Sequence, residues 1–217
     1  MGNLSYFLGF EVACNSAGIH LSQRKYVLDL LHETKMLVVA FVSTPMNFLT
    51  KVSFKGDQHV DPTVFHRLIR RLVYLTNTHP DITYVVHRLS QYVASPTQTH
   101  HQVAFHILHY IKNTYGQDIF LKATSNITLK AYRDFDWVGC PDFRKSTIGY
   151  IVYLEDSPIS WKSKKQPTIS RSSFEVEYSV LAQTVCEIQC LLNSLANFVF
   201  LFPTLLPSFA TITLPLK

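Results

Sequence analysis

Two pairs of carboxylates carry the chemistry this chain could do. Asp134 and Asp136 stand two residues apart in Arg133-Asp134-Phe135-Asp136-Trp137, and Glu175 and Glu177 do the same in Ser172-Ser173-Phe174-Glu175-Val176-Glu177. The first pair ends a predicted strand, so both acids face one side. The second lies in the first turn of a predicted helix. An acid at the end of a strand and an acid at the start of the following helix can converge on one divalent ion, and a hard cation such as Mg²⁺ takes oxygen ligands. The same residues have a plainer reading. Asp134 suits a strand-end turn, Glu177 suits the positive end of a helix dipole, Glu175 completes a capping box with Ser172, and Asp142 beside Pro141 suits a hairpin turn. Residue type and spacing leave both readings open. Lys162, Lys164 and Lys165 follow Trp161, with Arg144, Lys145 and Arg171 nearby. That is a basic, aromatic patch able to contact phosphates in a salt-dependent way, or else a solvated charged hairpin.

The elements that must position these groups can be read from periodicity. The carboxylate stretch comprises three strands, 129–137, 148–154 and 158–163, and a helix capped by Ser172 that runs to about residue 195. Short connections predict an antiparallel meander. Upstream, residues 4–12 read as a strand and 19–21 as its return, a hairpin turning at 14–18. Ser22 is expected to cap a helix through Tyr26–His32. Residues 45–62 read as a polar linker. Apolar residues at 3-and-4 spacing predict helices over 63–77, 82–93 and 99–113, separated by His79-Pro80-Asp81 and Ser95-Pro96-Thr97, and a strand follows at 119–121.

Composition narrows the class. With 47% hydrophobic and 16% charged residues, the chain has enough apolar surface to fold and is not of the disordered type. A net charge of +5 is compatible with a polyanionic partner. Cys14, Cys140, Cys186 and Cys190 form no zinc-type pattern and are expected as free thiols. No signal peptide precedes the fold, so the chain is expected in the cytoplasm or nucleus. Met1-Gly2 lacks the Ser or Thr that myristoylation wants at position 6, where Tyr6 stands. From Ile188 to Leu216 no residue is charged, but Pro203, Pro207 and Pro215 interrupt the run, and a membrane partner is not expected.

Four stretches together resemble the C-terminal part of the Pol polyprotein of copia-type LTR retrotransposons. They are Leu4-Ser5-Tyr6-Phe7-Leu8-Gly9; Leu72-Val73-Tyr74-Leu75 with Thr78-His79-Pro80-Asp81-Ile82; Asp134-Phe135-Asp136-Trp137-Val138-Gly139-Cys140; and Ile159-Ser160-Trp161-Lys162-Ser163-Lys164-Lys165-Gln166-Pro167 with Ser170–Tyr178. The resemblance covers residues 1 to about 195. It implies an α+β chain: residues 1–50 are the end of a reverse-transcriptase palm and thumb, 60–120 a helical connection, and 125–195 an incomplete RNase H-like domain. That domain has an antiparallel three-stranded sheet and one covering helix; an aberrant apolar tail follows at 196–217.

By the same resemblance, Asp134 and Glu177 are catalytic metal ligands and Asp136 lies within reach of the metal. The cofactor is Mg²⁺, the partner an RNA–DNA hybrid, and Trp161, Lys162, Lys164, Lys165 and Arg171 are its contacts. The resemblance also implies loss. The polymerase's Tyr-Val-Asp-Asp motif is absent, and the strand ending in Cys-Asp-Asn, which supplies a third metal ligand, does not follow the helix. Two carboxylates hold Mg²⁺ poorly against water, so the chain is expected to be an inactive relic, with a residually active ribonuclease H or a membrane-attached or exapted binding protein as alternatives. Phe209-Ala210-Thr211-Ile212 can be encoded as TTT-GCG-ACA-ATN, which reads Cys-Asp-Asn after a two-base shift, so the tail is expected to be a frameshift product that orders poorly. His79, His106 and His109 stand where the family usually has Arg, Cys14 where Arg is common, and Arg70 where Gly is usual. Arg-to-His and Arg-to-Cys changes fit decay of a silenced element, or ordinary drift.

Overall fold

The computed structural model describes residues 5–38, 40–47, 52–53, 58–123, 128–139, 142, 144–201 and 211–213, with 198–201 and 211–213 described by backbone alone. The chain divides into two units. One comprises Met1–Cys14 and His20–Ile119, the other Asn15–Ile19 and Phe120–Lys217. The chain is α+β, with five α-helices and two four-stranded sheets among the described residues.

The first sheet takes the order β1 (Tyr6–Phe7), β2 (Phe10–Asn15), β3 (Gly18–Ser22), β4 (Asp118–Lys122). The single strand expected over 4–12 is a two-strand hairpin instead, with Tyr6 opposite Glu11 and Phe7 opposite Phe10. Its turn residues, Leu8 (φ 47°) and Gly9 (φ 82°), both have positive φ, the backbone twist that two-residue hairpins require. Leu8 disguises the turn because its side chain belongs to the strand pattern.

Helices build the first unit: α1 (Arg24–Glu33), α2 (Pro62–Leu75), α3 (Thr83–Leu89) and α4 (Gln98–Thr114). Ser22 does not cap α1, as it still belongs to β3. Gln23 takes the cap position without a side-chain bond, and the Glu11 carboxylate accepts the Lys25 N–H at 2.8 Å, placing negative charge at the helix N-terminus. α2 starts where the linker was expected to end, with Pro62 in its first turn and Asp61 accepting from Thr63 N. The continuous helix expected over 82–93 is α3 flanked by 3₁₀ turns at Pro80–Ile82 and Ser90–Tyr92. The buried stripe Phe65, Leu68, Ile69, Leu72 and Leu75 of α2 joins Val27, Leu30 and Leu31 of α1 and Val103, Ala104, Ile107, Leu108 and Ile111 of α4 in one core. Even Val52, inside the expected polar linker, belongs to it.

The three histidines singled out above have structural partners. His106 Nε2 bonds the Thr44 carbonyl at 2.9 Å and His109 Nδ1 the Ala40 carbonyl at 2.7 Å. His79 is buried with Nδ1 on Thr78 Oγ1 at 2.9 Å. Its Nε2 and Asp81 Oδ1 are buried without a hydrogen-bond partner, while Asp81 Oδ2 accepts from Tyr110.

The second sheet has the order β7 (Ser157–Lys165), β6 (Thr147–Leu154), β5 (Thr128–Asp136), β8 (Thr211–Thr213). β5–β6–β7 is the expected antiparallel meander. β8 pairs parallel with the first three residues of β5. Helix α5 (Ser173–Leu201) covers one face. Its Val176, Val180, Thr184 and Ile188 recur every four residues and are all buried; Val176 and Val180 pack with Ile148, and Ile188 with Leu129, Ala131 and Val152 of the sheet. The helix extends beyond the expected end near residue 195, and Thr211–Thr213 form a strand; the rest of the tail expected to order poorly lies outside the described residues. So do Met1-Gly2 and Cys140. Cys14, Cys186 and Cys190 are free and exposed, as expected. Among the described residues no helix is long and apolar enough to cross a membrane.

Candidate functional site

The strand pattern of β5 decides which way each acid points. Leu129, Ala131 and Phe135 pack in the clusters that α5 closes, so odd-numbered side chains face the helix and Lys130, Tyr132, Asp134 and Asp136 face away. Asp134 and Asp136 are exposed on that open face. Asp134 lies opposite Gly149 of β6, which lies opposite Ser163 of β7. Asp134 Oδ1 accepts the Phe135 backbone N–H at 2.8 Å. Asp136 folds over Gly139, where an added Cβ would come within 1.6 Å of Oδ2. Any side chain there displaces the carboxylate.

Glu177 is on the other side. It sits in the first turns of α5 and meets Arg133 Nη2 through Oε1 at 3.4 Å. Arg133 is the neighbour of Asp134 and projects to the opposite face. The structure therefore brings Asp134 and Asp136 together but places Glu177 with an arginine, on the helix side of the strand. Among the described residues no group of three His, Cys, Asp or Glu side chains is placed to hold a metal ion. Glu175 caps: its N–H donates to Ser172 Oγ at 3.2 Å and its Oε2 accepts from Arg171 N at 2.7 Å.

Alternation also divides the basic patch. Lys162 lies opposite Tyr150 and Lys164 opposite Ile148, both α5-facing residues, so these two lysines project to the helix side, at its exposed margin. Trp161 lies opposite Ile151, which lies opposite Tyr132. Lys165 lies opposite Thr147, which lies opposite Asp136. The open face thus carries rows of Tyr132–Ile151–Trp161, Asp134–Gly149–Ser163 and Asp136–Thr147–Lys165. Tyr132 also meets the Tyr153 ring edge-on at 5.9 Å. Arg171 is exposed ahead of α5, and Lys145 Nζ donates to the Pro167 carbonyl.

Two acid partnerships escape a sequence reading. Arg133 forms an ion pair with Glu177, a pairing that strand alternation could have flagged. Glu187, in the middle of α5, accepts from Tyr150 OH at 3.1 Å and Ser160 Oγ at 2.7 Å. It ties the helix to β6 and β7. Burial first, then the Glu187 bond, pushes the Tyr150 phenol up to about 12.

Comparison with known proteins finds three informative relatives. The chain is 46% identical over 195 residues to the retrovirus-related Pol polyprotein from transposon RE1 of Arabidopsis thaliana, covering 89% of this chain and 13% of that polyprotein. It is 45% identical over 196 residues to the one from transposon RE2 of the same plant, covering 90% and 14%. An uncharacterized mitochondrial protein of Arabidopsis thaliana is 36% identical over 188 residues, covering 87% of this chain and 78% of that protein. No family model and no solved structure matches the chain. The chain spans about one seventh of the length of the polyproteins it matches.

Proposed function

The chain belongs to the family of copia-type retrotransposon Pol polyproteins, and from that premise we propose that it is a Pol fragment with an incomplete RNase H-like domain that does not hydrolyse RNA–DNA hybrids. Residues 1–50 then derive from the reverse transcriptase palm and thumb, 60–120 from the connection, 125–195 from the RNase H-like domain and 196–217 from an aberrant tail.

The observation that carries the reading is the layout of the second sheet. Three antiparallel strands, a covering helix and a following strand beside β5 come in the chain order the resemblance implies, with Asp134 on the first strand and Glu177 at the start of the helix. The resemblance calls for an acidic strand after the helix. β8 stands there in chain order and reads Thr211-Ile212-Thr213, without an acid. The residues present do not fit a two-metal Mg²⁺ site. Asp134 and Asp136 share one face, and Glu177 is engaged by a guanidinium on the other. Arg133 competes for the carboxylate charge that Mg²⁺ needs, and two acids leave the ion largely to water. No hydrolytic step is assigned. Nucleic-acid binding by Trp161, Lys165 and Arg171, with Lys162 and Lys164 reaching from the other face, is a second and weaker part of the same reading.

The test is direct. The purified chain is incubated with a labelled RNA–DNA hybrid and Mg²⁺, beside an Asp134→Asn variant. No difference between the two is expected. Mg²⁺-dependent cleavage that disappears in the variant would establish the residually active alternative. Sequencing the gene across the codons for Phe209–Ile212 tests the frameshift origin of the tail.

A further inference from the structure

Two of the free thiols share one helix face. Cys186 and Cys190 stand four residues apart in α5, both exposed, while Val180, Thr184 and Ile188 are buried on the opposite face. The helix is pinned between the two thiols. Glu187 accepts from Tyr150 OH and Ser160 Oγ, and Ile188 packs with Leu129, Ala131 and Val152. Residues four apart on a helix are neighbours, with Cβ atoms about 5–6 Å apart. A disulfide wants about 3.5–4.5 Å, so the pair cannot close on itself without unwinding the helix. It stands as a dithiol, with two sulfurs side by side at the solvent.

Two sulfurs at this spacing are a chelate. A soft ion with a bond of about 2.3 Å to each sulfur spans the gap that a disulfide cannot. The number of ligands selects the ion. Structural zinc takes four ligands, and iron–sulfur clusters take four thiolates. Among the described residues no third His, Cys, Asp or Glu joins the two thiols, and Glu187, the acid between them in sequence, is engaged by the sheet. Thiolates favour soft Cu(I), which two sulfurs in line satisfy. Hard Mg²⁺ takes oxygen ligands instead. We propose that Cys186 and Cys190 form a two-coordinate thiolate site for Cu(I) on the outer face of α5. Binding breaks both S–H bonds, forms two Cu–S bonds and releases two protons to solvent; no electron is transferred. The site is independent of the nuclease reading of Asp134 and Glu177.

The full-length chain, reduced and kept free of oxygen, is titrated with Cu(I) against a chromophoric Cu(I) chelator. One ion per chain is expected, with two protons released and a sulfur-to-copper absorption in the ultraviolet. Cys186→Ser and Cys190→Ser should each weaken binding at least about a hundredfold, since tethering gives the second thiol a high effective concentration. Replacing Cys14 and Cys140 together by Ser should leave binding unchanged. Cys190→Ser combined with Asn193→Cys restores the thiol count but sets the pair about 10 Å apart along the helix, and it should bind as weakly as Cys190→Ser alone. Cys186, Cys190 and Asn193 are all exposed, so the circular dichroism of these variants should match that of the parent, which separates loss of the site from loss of the fold. Equal binding by the single variants, full binding by the spaced pair, binding lost with Cys14 and Cys140, one ion shared by two chains, or no binding at all would each overturn the proposal.

Discussion

Glu187→Ala offers the sharpest test of how the second unit is held together. The carboxylate receives two hydroxyl bonds, from Ser160 at 2.7 Å and from Tyr150 at 3.1 Å, and Tyr150 is 8% exposed. Bonds to a charged group contribute about 1.5–3 kcal/mol when well made, and both of these sit at a partly solvated margin, so about 1.5 kcal/mol for the shorter and about 1 kcal/mol for the longer is reasonable. Alanine recovers roughly 0.4 kcal/mol of helix propensity. The net loss is about 2 kcal/mol. At an m-value of about 1.5 kcal/mol/M this lowers the urea midpoint by about 1.3 M. The assay is unusually clean, because both tryptophans, Trp137 and Trp161, belong to the second unit, and their fluorescence reports its unfolding alone. Tyr150→Phe should cost about 1 kcal/mol singly and add little to Glu187→Ala, since the two share one bond. The phenol held at about 12 sets a pH signature. Its folded value exceeds the unfolded value near 10, so this contribution is complete below pH 10 and fades as pH rises toward 12. A midpoint shift under about 0.3 M for Glu187→Ala, or full additivity of the pair, would refute the account of α5 docking through this carboxylate.

Other outcomes are expected. Burial holds the His79 imidazole below its ordinary value, with Asp81 partly offsetting. A depressed folded value means the first unit is most stable above pH 6.5 or so and weakens as pH falls. The helical circular-dichroism midpoint should drop between pH 7.5 and 5.5, and His79→Leu should remove part of that drop, burial holding His101 below its ordinary value as well; an undiminished drop in the variant would assign it elsewhere. Gly18 has φ 156°, and a Cβ there would come within 2.1 Å of the Leu121 carbonyl oxygen, so Gly18→Ala should cost more than about 2 kcal/mol, read as loss of soluble folded chain or of the tryptophan midpoint. Phe65→Ala, at a fully buried site, should destabilise the first unit by about 3–5 kcal/mol in circular dichroism.

Much of the fold was legible because its cause is local. The 3-and-4 spacing of Phe65, Leu68, Ile69 and Leu72 predicts α2, and the runs from Leu129, Ile148 and Pro158 predict the meander. Glu175 and Ser172 do form the cap their spacing suggests. What misled was also local. Leu8-Gly9 hides a turn inside a strand pattern, Ser22 is a good cap residue that a strand claims first, and Val52 belongs to a core although its surroundings read as linker. The acids Asp134 and Asp136 were legible as a pair on one face, because alternation along a strand is a property of the backbone itself.

The sequence by itself determined the family, since 45–46% identity over about nine tenths of the chain follows residue order alone. It also determined which acids and bases exist and their spacing along each element. Tertiary structure alone decided their company. Glu177 meets Arg133 rather than Asp134, the lysines at 162 and 164 part from Trp161 and Lys165, and Glu187 becomes the tie between helix and sheet. The physical reason is that facing is fixed within an element by its own period, whereas partners across elements depend on register, which a residue pattern does not contain. β8 is the extreme case: Thr211-Ile212-Thr213 has no local signal for lying beside Thr128–Lys130, and only the sheet it joins makes it a strand.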